Sequence, residues 1–173
     1  VLDLGCGDGI LGHAVLERHP GTRVWFLDFS APMLAAARER LAADARASFV
    51  QADLATSDWL QAVDGVRPDL VVSGFAIHHR EDARKRALYR EVFDLLAPGG
   101  VFLNLEHVAS ATPAVSGLFD AYFVDHLVAY HARSGAAMSR EEINRNYYAR
   151  PDKAENKLAP VEAQRERLRE IGF

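Results

Sequence analysis

The stretch Val1-Leu2-Asp3-Leu4-Gly5-Cys6-Gly7-Asp8-Gly9 decides the fold. A short apolar run ends in an acid, and glycine then stands at every second position. This reads as a buried strand running into a loop nearly free of side chains, with an amphipathic helix beginning at Ile10. Glycine tolerates positive φ and lets a ligand lie against bare backbone. A loop of that kind at a helix N-terminus suits a nucleoside-type cofactor. The same turn can also join strand to helix with no ligand. The string Gly7-x-Gly9-x-x-Gly12 matches a dinucleotide fingerprint too, but its first glycine lies three residues past Leu4 rather than at the strand end.

Outward from this loop, apolar runs alternate with helical patterns, the signature of a parallel sheet with helices on its faces. The expected fold is α/β, a doubly wound, mostly parallel sheet, with strands over 1–4, 24–27, 48–50, 70–73 and 101–105. Ser30 is placed to cap a helix with Pro32 in its first turn, and Leu34, Ala37 and Leu41 form its buried stripe. Leu88, Val92, Leu95 and Leu96 mark the core face of the helix before the fifth strand. Pro98-Gly99-Gly100 ends that helix. After Leu105 the alternation stops. Thr112-Pro113 opens a long helix to about Ser134, Ser139-x-x-Glu142 is a capping box for another, 149–159 reads as a loop, and 161–171 is a last helix. The expected division is a core over 1–109, a helical cap over 110–159, and a final core helix over 160–173.

The 173 residues suit one domain, with 49% hydrophobic and 25% charged residues. A net charge of −4 offers no general attraction to nucleic acid or to an anionic membrane. No apolar run is long enough to span a bilayer. The single cysteine, Cys6, forms no internal disulfide and fits a reducing, cytoplasmic setting. With no initiator Met, a start inside the first strand and a stop just past a helix, the chain is expected to be a piece of a longer protein that adds an N-terminal segment and further strands.

The glycine run resembles the first motif of class I S-adenosylmethionine-dependent methyltransferases, with Asp3 at the strand end and glycines at Gly5, Gly7 and Gly9. Further matches follow in the family's order: Asp28 after the second strand, Asp53 between Ala52 and Leu54 after the third, Asp69-Leu70-Val71-Val72-Ser73-Gly74-Phe75 around the fourth, and Leu96-Ala97-Pro98-Gly99-Gly100-Val101-Phe102-Leu103 leading into the fifth. The resemblance implies that S-adenosyl-L-methionine binds across the C-terminal strand ends, with S-adenosyl-L-homocysteine as product. It implies a cofactor set of Asp3, Gly5, Cys6, Gly7, Asp28, Phe29, Met33, Asp53, Leu54, Ser73 and Gly74. Asp28 would accept the ribose hydroxyls, Phe29 and Met33 would border the adenine, Asp53 would accept its amino group, and Ser73 and Gly74 would lie beside the methyl group. Each of these residues also has a plain alternative, a turn aspartate or a core side chain.

Residues for the acceptor follow the fourth and fifth strands. His79 and Glu106 are the catalytic candidates, since a base is needed when the acceptor is protonated. His78, His107, Tyr122, His126, Tyr130 and Arg150 are the candidates for acceptor contact, with Tyr147, Tyr148 and Arg150 as a lid. The stripe Phe119, Tyr122, Phe123, His126, Tyr130 is expected chiefly to join cap to core, and otherwise to line the acceptor pocket or a homodimer contact. His126 and His131 point to different helix faces, and no Cys/His cluster has zinc spacing, so no metal is expected. The expected partner is a small-molecule acceptor, not nucleic acid or membrane. The order of cap helices is also loosely similar to carboxy-S-adenosylmethionine synthase, an enzyme of the same fold acting in tRNA modification. A non-catalytic cofactor-binding protein is a further alternative. An NAD-type dehydrogenase would need a second domain for which the chain has no room.

Overall fold

A computed structural model of the chain describes residues 1–41, 44–136, 138–148 and 155–173. Five strands, β1 (Leu2–Leu4), β2 (Val24–Asp28), β3 (Ala47–Gln51), β4 (Leu70–Gly74) and β5 (Val101–Leu105), form one sheet of order β3-β2-β1-β4-β5. Every pairing is parallel; Asp3 stands level with Phe26 on one side and Val72 on the other. The strand order reverses at β1, and such a switch point opens a crevice at the C-terminal strand ends. The glycine loop begins there.

The strands at the centre are mostly apolar because helices cover both sheet faces. On one face Leu2, Leu4, Leu27 and Val71 pack with Trp59, Ile77, Leu88, Tyr89, Val92 and Ile171; on the other Val24 and Phe26 pack with Leu16, Leu34 and Leu41. Helices α1 (Ile10–Arg18), α2 (Ala31–Arg40), α3 (Trp59–Ala62) and α4 (Asp82–Leu95) follow successive strands. Ser30 caps α2 as expected, its Oγ accepting from Met33 N at 3.4 Å. The expected stripes hold for both helices, with Leu34, Ala37 and Leu41 buried on α2 and Leu88, Val92 and Leu96 buried at α4.

After β5 come α5 (Pro113–Arg133), α6 (Arg140–Tyr148) and α7 (Val161–Ile171). Thr112 caps α5 through Val115 N at 3.2 Å. The Ser139–Glu142 capping box closes in both directions, with Glu142 N donating to Ser139 Oγ at 3.1 Å and Ser139 N donating to Glu142 Oε2 at 2.9 Å. α5 packs on α6 and α7 on α4. The described residues contain no helix long and apolar enough to cross a membrane.

Helix α3 escapes periodicity because it is a single turn; one side chain network holds it. The Arg84 guanidinium makes a two-pronged pair with Glu91 at 2.7 Å on each prong. Glu91 also accepts from Ser57 Oγ and from the buried Trp59 indole, each at 2.6 Å. Arg84 Nε donates to Leu54 O at 2.7 Å, so the network carries the loop after β3 as well. Burial works against ionisation of Glu91, yet the bonds from Arg84, Ser57 and Trp59 outweigh it and hold its carboxyl below the ordinary range. Glu91→Ala would strand a mostly buried guanidinium and an indole N–H. A loss of about 2–4 kcal/mol is expected, read as a shifted urea midpoint at unchanged slope.

Candidate active site

The glycine loop is braced from β2. Asp28, 6% exposed, accepts from Gly7 N through one carboxylate oxygen and from Ser30 N through the other, each at 2.8 Å. Gly5 N and Cys6 N both donate to Leu27 O, at 2.8 and 3.0 Å. Gly5 (φ +66°) has no room for a side chain: a Cβ would fall 2.3 Å from the Ala76 Cβ, in the turn after β4. Gly7 (φ +54°) differs, since a Cβ there would meet nothing within 4 Å. The first glycine admits the neighbouring turn, and the second leaves its backbone open. Phe29 and Met33 stand beside this loop with large exposed apolar surfaces.

Asp3 lies beneath the loop, 1% exposed. Its Oδ2 accepts from Gly12 N at 2.9 Å, while its Oδ1 is buried with no partner. Burial, opposed by the Gly12 N–H and assisted by the Asp28 charge, pushes its pKa up to about 7. Cys6 is buried, and burial together with the charges of Asp3 and Asp28 pushes its thiol far up, so it stays protonated. The open Gly7 backbone, the exposed Phe29 and Met33, and the unpaired Asp3 oxygen fit a ligand carrying an apolar ring, hydroxyl groups and positive charge.

Other residues of the expected cofactor set take different roles. Asp53 is exposed; its Oδ1 closes a turn by accepting from Ala55 N at 2.8 Å and lies 3.6 Å from Arg80 Nη1. Leu54 belongs to the core, with a methyl group near the Gly5 site. The Ser73 side chain is fully buried and donates to Leu4 O at 2.8 Å, stitching β4 to β1. Gly74 is half-buried beside Leu11.

Past β4, a 3-10 turn (Ile77–His79) brings the histidines to the end of β5. Glu106 already holds two partners in this turn. Its side chain is 4% exposed, one oxygen accepts from Ile77 N at 2.6 Å, and the other lies 2.6 Å from His78 Nδ1. His78 is buried in that pair. His79 stacks at 4.1 Å on His78, and its Nδ1 is buried without a partner. Burial, then the neighbouring His78 and Arg80, lower its pKa below the ordinary imidazole value, so it stays neutral near pH 7. His107 lies 5.2 Å from the His78 ring and 4.9 Å from Phe75. Phe75 holds φ +54°, costly for a residue with a side chain, and signals a site that the surroundings enforce. Nothing in residue order marks the backbone of Phe75, which closes the fourth-strand motif. The Glu106–His78 pair was readable in principle, since β4 and β5 run in register with Gly74 level with Leu105.

The cap residues do not meet the core as expected. Phe119, Tyr122 and Tyr130 are exposed, and Tyr122 instead stacks on His126 at 4.1 Å. Phe123 packs on Tyr147 at 4.6 Å, and Tyr148 donates to Asp120 at 2.7 Å, so these side chains join α5 to α6. Arg150 lies outside the described residues. Among the described residues no group of three or more His, Cys, Asp or Glu side chains is arranged for a metal.

The Asp3 environment makes stability depend on pH. Its carboxyl binds a proton more tightly folded than unfolded, so its contribution is full below about pH 4 and is lost as pH rises to about 7. The steepest loss is about 1.4 kcal/mol per pH unit. In urea unfolding from pH 4 to 8, Asp3→Asn is expected to gain on the wild type across that interval and to run parallel above it. Parallel curves throughout would contradict the assignment.

The Methyltransferase domain family matches residues 2–102. Trans-aconitate 2-methyltransferase of Paracidovorax citrulli is 43% identical over 101 residues, which cover 58% of this chain and 36% of that protein. Demethylmenaquinone methyltransferase of Leptospira interrogans is 32% identical over 123 residues, covering 71% and 49%. A glycopeptide N-methyltransferase solved with S-adenosyl-L-methionine is 35% identical with TM-score 0.50, covering 60% of this chain and 42% of that one. An O-methyltransferase family protein from Burkholderia thailandensis shares the fold over 99% of this chain and 45% of its own, with TM-score 0.68 at 22% identity. The chain spans about a third to a half of the length of the curated relatives it matches. The dehydrogenase, carboxy-S-adenosylmethionine synthase and non-catalytic readings gain nothing from these likenesses. With an all-parallel sheet switching at β1, an acid-braced glycine loop and a family match over most of that core, the chain belongs to the class I S-adenosylmethionine-dependent methyltransferases.

Proposed function

We propose that this chain carries the cofactor half and the proton-accepting group of a methyltransferase acting on a small molecule. The observation that carries the reading is the Asp28 carboxylate holding Gly7 N and Ser30 N at 2.8 Å beside an open glycine backbone. Asp28 keeps lone pairs for ribose hydroxyls. Phe29 and Met33 border the adenine, Asp53 offers its outer oxygen to the adenine amino group, and Asp3 lies where positive charge is welcome. S-adenosyl-L-methionine would supply a sulfonium-bound methyl group open to in-line attack by the acceptor nucleophile, with S-adenosyl-L-homocysteine as the leaving group. The chain's part is placement and exclusion of water.

His79 takes the acceptor's proton. It is neutral, half-buried and next to the buried Glu106–His78 pair, which fixes the turn that carries it. Phe75 and His107 wall the acceptor side, and acceptor contact falls to Tyr122, His126 and Tyr130 of α5, whose rings are open to solvent. The trans-aconitate and demethylmenaquinone relatives support a small acceptor, although their acceptors differ in chemistry. A homodimer through the exposed α5 stripe is the competing use of that segment.

Calorimetry is expected to give micromolar binding of S-adenosyl-L-methionine and S-adenosyl-L-homocysteine, about −8 kcal/mol, and none of NAD. Asp28→Ala loses a brace and an acceptor together, so affinity falls at least about tenfold. Binding of NAD alone would overturn the cofactor reading. With an acceptor in hand, His79→Ala is expected to lower kcat by about a hundredfold with little change in cofactor affinity. Unchanged turnover would remove His79 from the proton transfer.

A further inference from the structure

Several buried polar groups bond to one short segment behind the active site. Lys85 of α4 is 1% exposed, an expensive place for an ammonium. Its Nζ donates to the backbone carbonyl of Lys157 and lies 3.2 Å from Asp82 Oδ1. Lys157 N in turn donates to His78 O at 2.8 Å. Two residues on, Ala159 O accepts from Ala109 N at 3.0 Å and from Gln164 Nε2 at 3.1 Å. Gln164 is itself held by the Tyr89 hydroxyl at 2.8 Å.

Residues 157–159 thus touch both limbs of the dyad. One end is bonded to His78 itself, and the other to Ala109, three residues past Glu106. Those limbs leave different strands, β4 and β5, whose pairing ends at Gly74 and Leu105; past it Ile77 N ties one limb to Glu106, and residues 157–159 are bonded to both. A hydrogen bond as short as 2.6 Å between His78 Nδ1 and Glu106 Oε2 needs that spacing held. We propose that residues 157–159 are a strap that sets the His78–Glu106 geometry, and that Lys85 is its positioning residue, acting through the Lys157 backbone. A lysine is suited to the task because its long stem crosses the core while its ammonium supplies several donors to a carbonyl and a carboxylate. Apolar packing alone would not fix the Lys157 carbonyl. The strap is the C-terminal end of the 110–159 segment, so the limb returning from the cap is bonded to the turn that carries His79.

The role in turnover rests on the reading of His79 as proton acceptor, whereas the strap itself is tested on the dyad directly. In the full chain, Lys85→Met keeps the stem and removes the donor. The His78 Nδ1-bound proton and the ring nitrogen shifts, read by NMR, are expected to move away from the wild-type position. The pH profile of kcat is expected to shift, with kcat down about tenfold or more and cofactor affinity within about twofold. Gln164→Ala loosens the other end and should act in the same direction; it keeps the test open if Lys85→Met does not fold. Lys157→Ala removes only an exposed ammonium paired with Glu81 and leaves the backbone bonds, so it should be silent. Wild-type His78 resonances in a folded Lys85→Met or Gln164→Ala protein would overturn the strap. Moved resonances with unchanged turnover would retain the strap and remove the proton-transfer role from this turn.

Discussion

The carboxylate of Asp28 is the constraint on which the cofactor side depends. One side chain at the end of β2 ties the glycine loop after β1 to the first turn of α2, through two backbone N–H donors at 2.8 Å. Hydrogen bonds to a carboxylate are stronger than those between neutral groups. Without the brace, a loop with positive φ at Gly5, Gly7 and Gly9 would have many conformations and little to choose among them. The parallel register of β1 and β2 brings acid and loop together, so the sheet builds the site before any ligand arrives.

The acceptor side depends on a second desolvated pair. Glu106 and His78 are each nearly removed from water, and each satisfies the other. A buried pair of this kind is weak evidence for stability but holds a geometry firmly, since breaking it leaves an uncompensated charge. The costs gathered here fall at one end of the sheet: a carboxyl oxygen of Asp3 with no partner, a buried Lys85, and an aromatic residue at φ +54°. Strain and buried charge in one place indicate a surface arranged for chemistry more than for stability.

Much of this was legible in residue order. The glycine run, the acids at 28 and 53 and the alternating apolar segments announce strands and loops by local rules, and all five strands fall where those rules put them, within a residue at each end. Helix caps at Ser30, Thr112 and Ser139 were equally local. What stayed hidden depends on contacts across the chain. Ser73 is polar and near the crevice in sequence, yet its hydroxyl turns to Leu4. The partners of Glu106 show only when the His78 turn is laid beside it. Only the fold shows the Lys85 ammonium buried against the Lys157 carbonyl. The α5 stripe has core-like spacing, but Phe119, Tyr122 and Tyr130 face outward because α5 packs on α6.

The most direct measurement of the central claim is a titration of the nitrogen-15-labelled chain with S-adenosyl-L-homocysteine, followed by the backbone amide shifts. The account predicts saturable shifts concentrated at Gly5, Gly7, Gly9, Phe29, Ser30 and the Asp53 turn, with residues 60–67, which lead into the N-terminal end of β4, unmoved. Saturable shifts that leave the glycine loop unmoved and fall on residues 60–67 would contradict it.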